Sequence, residues 1–257
     1  MRAGSDIEKD VRAALEHDPR VHPRRSAIDI ELQAGAALLA GELEDIEEKR
    51  AAVELAKQVE GVARVDDRLR VRPTAALGDG TIRDAVRRQL LEEPSFQRMV
   101  IHCRVAGSPD AVERAPDAPE GRLEVAVAGG VVTLSGEVWS RSRKRLAAVL
   151  AWRAPGCRNV VNELQVRPVE HDTDGEIRDA VELVLNKDPI VHSGQIDAQV
   201  RDGRVTLRGM VATREEKRMA ERDVWYIEGV CDVVNALEVY QGPAGQEAMP
   251  AAPPGFE

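Results

Sequence analysis

Between Trp139 and Arg153 the chain carries Arg141, Arg143, Lys144, Arg145 and Arg153 and no acidic residue. Cations clustered in this way attract an anionic surface. A tryptophan among them can sit at the level of lipid headgroups or stack on a nucleic-acid base. Wound as a helix with Ala147 at the origin, Arg141, Arg145 and Trp152 fall at about 120°, 160° and 140°, away from Ala147, Ala151 and Ala154. The candidate binding residues are therefore Arg141, Lys144, Arg145 and Trp152. A basic, Trp-bearing outer face suits anionic phospholipid. The same residues suit an RNA backbone with a stacking ring, or packing of Trp152 against a neighbouring part of the chain with the arginines in salt bridges. Burial of Trp152 separates these readings.

Nothing else in the sequence assembles into a reactive constellation. There is no G-x-x-x-x-G-K-[ST], no G-x-S-x-G and no H-E-x-x-H, so the reading is non-enzymatic, with no cofactor and no metal. Gly78-Asp79-Gly80 and Ala128-Gly129-Gly130 are explained by turn chemistry rather than a phosphate cradle. His17, His22, His102, His171 and His192 are scattered; His22 and His192 each lie three residues after a proline, on the approach to a strand. Cys103, Cys157 and Cys231 are odd in number and lack C-x-x-C spacing, which fits a reducing compartment and buried, hydrophobe-like thiols.

The 257 residues are 43% hydrophobic and 32% charged but only 3% aromatic, so any core is built from Val, Leu, Ile and Ala. The net charge of −9 argues against a general nucleic-acid coat and leaves room for a local basic patch. No apolar run approaches the ~18–20 residues of a membrane span. Met1 to Leu15 is charged every few residues and lacks an apolar signal region. The expected location is cytoplasmic, peripheral at the inner membrane if lipid is bound.

The elements that must position these residues come from an internal repeat. Gly35, Gly130 and Gly203 each open a stretch with a second glycine six residues on: Gly41, Gly136 and Gly209. Counting from the first glycine, Lys-Arg pairs follow at +14 and +15, at Lys49-Arg50, Lys144-Arg145 and Lys217-Arg218. Glycine returns at +26, as Gly61, Gly156 and Gly229, and leucine at +34, as Leu69, Leu164 and Leu237. Upstream, Ile7-Val11-Leu15, Ile82-Val86-Leu90 and Ile177-Val181-Leu185 repeat at i, i+4, i+8, one face of a helix. Asp79 and Asp174 precede two of these isoleucines by three residues, as helix N-caps would. Pro19, Pro94 and Pro189 stop each helix. Alternating segments then predict two strands joined at the first glycine, a second helix burying +17, +21 and +24, and a last strand. The Lys-Arg pairs of the first and third units read as solvated helix faces, with Glu47, Glu48, Glu215 and Glu216 beside them.

The fold class is thus α+β: three tandem α-β-β-α-β units over 5–71, 80–166 and 175–240. The second carries about 20 extra residues near 103–122, as a mobile loop or an extended hairpin. The proline-rich end, 241–257, reads as a disordered tail.

The pattern G-x-V-x-L-x-G-x-V, then Lys/Arg and Ala on a helix, then Gly-Val and V-x-N-x-L-x-V, resembles the BON domain. The third unit carries it best, with Gly203, Val205, Leu207, Gly209, Val211, Gly229, Val230, Val233, Asn235, Leu237 and Val239. The second has Cys157 after its glycine; the first has Ala37 for the valine and Asp67 for the asparagine. The resemblance implies a non-enzymatic module associated with envelope maintenance and osmotic stress, several members binding phospholipid. The expected function is an adaptor that binds anionic phospholipid headgroups, or a protein partner, through the second unit. Nucleic acid is disfavoured. The alternatives are a cytoplasmic protein-interaction scaffold using edge strands, and a small-ion or ligand sensor using backbone carbonyls.

Overall fold

The computed structural model describes residues 4–22, 26–105, 111–114, 116–117, 119–167 and 173–240. The tail expected to be disordered lies outside them. The first unit runs α1 (Gly4–His17), β1 (Ile28–Gln33), β2 (Ala36–Leu43), α2 (Ile46–Gln58) and β3 (Arg64–Val71). The second runs α3 (Asp79–Glu92), β4 (Met99–Val105), β5 (Ala111–Arg114), β6 (Gly121–Ala128), β7 (Val131–Val138), α4 (Arg141–Trp152), β8 (Asn159–Asn162) and β9 (Gln165–Val166). The third runs α5 (Asp174–Lys187), β10 (Ile196–Arg201), β11 (Arg204–Val211), α6 (Arg214–Trp225) and β12 (Asp232–Val239). Each first helix ends two residues before its proline.

Each unit pairs its hairpin strands antiparallel and adds its last strand parallel to the middle one, with the second helix as the crossover. The extra residues of the second unit form an extended hairpin: β4 lies parallel to β6 and antiparallel to β5, so the sheet grows at its edge in the order β5-β4-β6-β7-β8.

Asp79 and Asp174 do not cap their own helices. Gly78 caps α3 without a side chain and Thr173 caps α5. The Asp79 carboxylate instead accepts the N–H groups of Gly129 and Gly130 (2.9 and 2.8 Å), and Asp174 those of Asp202 and Gly203 (2.8 and 3.0 Å). Each aspartate thus ties its helix to the hairpin turn that the glycine opens, an attachment about fifty or thirty residues away in sequence.

The Lys-Arg pair of the first unit is not solvated. Lys49 is 3% exposed and donates to the Leu69 carbonyl (2.8 Å) and Asp67 (2.6 Å). In the third unit Lys217 donates to the matching Leu237 carbonyl (2.6 Å), while Arg218 stays exposed beside Glu215. The lysine reaches from the helix to the last strand and satisfies a carbonyl there. Where Asp67 would stand, the other two units have asparagine, and Asn162 and Asn235 donate to the carbonyls of Lys144 and Lys217 (3.1 and 2.9 Å).

The first unit has its own apolar core around Ile7, Val11, Leu39, Leu43 and Leu69. The second and third share one continuous core. The cause is α4: Leu146 through Trp152 is apolar without a break, and a helix that is apolar all round must be covered all round. Its sheet covers one side and α5 of the third unit another. Unit one joins through α2 against α6, the Arg20–Asp232 ion pair (3.5 Å), and Arg158, which reaches Glu42 (2.6 Å) and accepts the Val71 N–H (2.7 Å).

Candidate functional site

The four residues singled out from the sequence part company at the seam between units two and three. Ser140 caps α4, its hydroxyl accepting the Arg143 N–H (3.1 Å). Arg141, at the first helical position, is half-buried. Lys144 is also half-buried, with Nζ 3.9 Å from Glu228 of the third unit. Arg145 is 3% exposed and its Nε donates to the Glu228 carbonyl (2.8 Å). Trp152 is 7% exposed and stacks on Tyr226, ring centroids 5.7 Å apart and planes within 2°. Arg145 and Trp152 therefore do not lie on an outer face: the angular position that points away from their own sheet points into the neighbouring unit. The run Leu146–Trp152 was the sequence signal for this.

Arg145 consequently has a structural duty. Loss of a buried, charge-assisted hydrogen bond costs about 1.5–3 kcal/mol. Arg145→Ala is expected to lower the unfolding free energy by about 2 kcal/mol and Arg141→Ala by less than about 0.5 kcal/mol, both read by urea denaturation.

Trp139 was not among the singled-out residues. It is 54% exposed, immediately before the Ser140 cap. The equivalent positions hold Glu44 and Ala212. The signal that marks it is its place at the mouth of the basic helix. The helices α1, α2, α3, α5 and α6 have acids in their first turns, where the helix dipole favours them; α4 has none, and carries Arg141 and Arg143 there. The contrast is sharpest at Arg143. Its counterparts Glu48 and Glu216 are buried acceptors: Glu48 takes the His22 N–H (2.8 Å) and Ser26 hydroxyl (2.9 Å), and Glu216 the N–H groups of His192 (2.7 Å) and Ala212 (2.8 Å). These bonds hold the chain where it approaches the first strand, which places His22 and His192 in scaffolding. Arg143 instead reaches toward Glu120 (3.5 Å).

A cavity of about 680 Å³ opens where the three units meet. Ile46 and Glu47 line it from unit one, Trp152 and Arg153 from unit two, and Asp223 and Tyr226 from unit three. Burial pushes the Asp223 carboxyl up to about 6, against the pull of Arg153. Burial likewise pushes the Tyr226 hydroxyl and the Cys157 thiol up to about 12, so both keep their protons at neutral pH and Cys157 is a poor nucleophile. Among the described residues no group of three or more His, Cys, Asp and Glu side chains is placed to hold a metal ion.

The sequence pattern of the BON domain matches residues 4–73, 109–168 and 173–241. The chain belongs to the BON domain family. The three matches fall one on each unit described above, the second beginning at residue 109, after α3 and β4, and membership supports a non-catalytic binding role. No curated protein matches the chain. Among solved structures it is similar to two of CdsD, a structural protein of the type III secretion system of Chlamydia trachomatis. The C-terminal domain aligns at 13% identity over 93% of this chain and 100% of that one, with a TM-score of 0.24. A second CdsD structure aligns at 14% identity over 92% and 94%, with a TM-score of 0.23. No helix among the described residues is long and apolar enough to cross a membrane.

Proposed function

We propose that this protein is a non-catalytic, envelope-related adaptor that binds anionic phospholipid through the outer end of α4 in its second BON domain. The observation that carries this reading is the exposed Trp139 ring at the start of the one second helix without acids in its first turn. Arg141 and Lys144 supply charge, and Trp139 supplies the ring that enters the headgroup layer. Arg145 and Trp152 hold the helix in place from within.

The net charge of −9 repels an anionic surface at long range, and salt screens charges beyond about 8 Å at physiological strength. Binding is therefore local, weak per site and salt-sensitive. A basic residue near an anionic leaflet contributes about 1 kcal/mol, so reversing one charge removes about 2 kcal/mol, roughly 30-fold in affinity. Flotation with anionic vesicles but not neutral ones, weakened by salt and lost in Trp139→Ala/Arg141→Glu, is the expected result. Equal flotation of the double variant, with the fold intact by circular dichroism, overturns the assignment.

The cavity at the three-domain junction favours a second reading, a small-ligand or ion sensor. It predicts a melting temperature that rises with one solute and not with another at equal ionic strength.

A further inference from the structure

Two buried carboxyl groups share one cation at the seam between the second and third BON domains. Arg153 is the C-cap of α4. Its Nε and Nη2 donate to the two oxygens of Asp223 on α6 (3.0 and 2.5 Å). The same Nη2 lies 3.4 Å from Asp188, the C-cap of α5, and donates to the Val184 carbonyl (3.4 Å). One side chain of domain two thus grips both helices of domain three. Asp223 and Asp188 are both buried, and both carboxyl groups lie against the same Arg153 Nη2.

Two buried carboxylates and one guanidinium leave an uncompensated negative charge. Asp188 also accepts the Ile190 N–H (2.7 Å), so the proton that cancels the excess belongs to Asp223. The neighbouring groups do not supply another cation. Arg222 on α6 is exposed and turns its Nη2 to the Met219 sulfur (2.6 Å); Lys187 at the end of α5 is paired with Glu93 (2.9 Å). Tyr226 on α6 and Cys157 after α4 are neutral.

We propose that Arg153, Asp188 and Asp223 form a proton-operated clasp, closed when Asp223 carries a proton and loosened when that proton is lost. All three residues line the cavity at the three-domain junction, so the clasp also sets the shape of that cavity. The proton affinity of Asp223 agrees in sign. Burial is the largest cause of its rise to about 6 from an ordinary 3.8. A carboxyl raised in the folded state contributes stability that is full below its unfolded value and lost as pH rises through the folded one. Packing of domains two and three is therefore tighter at pH 5 than at pH 7.5, by about ten-fold in the folding equilibrium.

The test is urea denaturation of the full chain between pH 5 and 8, for the wild type, Asp223→Asn and Asp188→Asn. The substitutions keep the shape, replace one acceptor oxygen with a donor amide and remove the carboxyl. The variants assign any pH-dependent step to this pair of carboxyls. The expected result is a wild-type step in which stability falls from pH 5 to about 6.5 and is level above, and which both variants flatten. A wild type with no such step, or a step that survives in both variants, overturns the proposal. Carboxyl carbon NMR of the wild type gives the same decision if a variant fails to fold: one aspartate titrating near 6 supports the clasp, and none above 5 overturns it.

Discussion

Arg153→Ala is expected to destabilise the protein by about 3–5 kcal/mol at pH 7.5, the scale for removing one partner from a buried ion pair. Asp223 is 1% exposed, so the substitution leaves a buried carboxyl without its counter-ion. Asp223 responds by holding its proton more tightly, so the loss should shrink at pH 5. Arg153→Lys keeps the charge but not the two-pronged contact with Asp223, nor the reach to Asp188 and Val184, and should fall between the two. Urea denaturation followed by far-ultraviolet circular dichroism measures the change. A cost below about 1 kcal/mol for alanine would show that the seam does not depend on this contact.

Gly209→Ala is expected to cost about 3–4 kcal/mol, combining overpacking against backbone with a left-handed φ. A Cβ on Gly209 would lie 1.9 Å from the Gln195 carbonyl oxygen, and its φ is +126°. Gly209 pairs with Ile196 at the start of β10, where the incoming strand crosses close over the glycine. Gly41 and Gly136 repeat this geometry, each with a Cβ that would come within 2.2 Å of a carbonyl oxygen. Backbone cannot move aside as a flexible side chain can. Gly80→Ala provides the opposite sign: it lies in α3 with nothing within 4 Å of its Cβ, and should stabilise by up to about 1 kcal/mol through helix propensity. Thermal or urea melts of the two variants should therefore move in opposite directions.

The interior of each BON domain was legible in the sequence because its causes are local. Ile7, Val11 and Leu15 face one way by the 3.6-residue period, and Ile196, Ala198 and Val200 by the two-residue period. Prolines end the first helices, and the +6 glycines mark where strands approach too closely for a Cβ. The insertion was legible as extra length; pairing between β4 and β6 decided that it extends the sheet. The three registers of one pattern revealed three copies of one fold.

The arrangement of the copies was not legible. The helical wheel placed Arg145 and Trp152 correctly relative to their own sheet and could not show the third domain that covers them. Lys49 reads as a solvated cation until the Leu69 carbonyl, twenty residues on, is seen to need a donor. Asp79 reads as a helix cap until the hairpin turn, fifty residues on, is seen beside it. The clasp joins Arg153 to Asp223 across seventy residues. Sequence by itself determined the elements, their number and their buried faces, because periodicity is a property of neighbouring residues. Only the tertiary structure decided which charges are covered, shared or free, because partners so far apart in the chain meet only after the domains have packed.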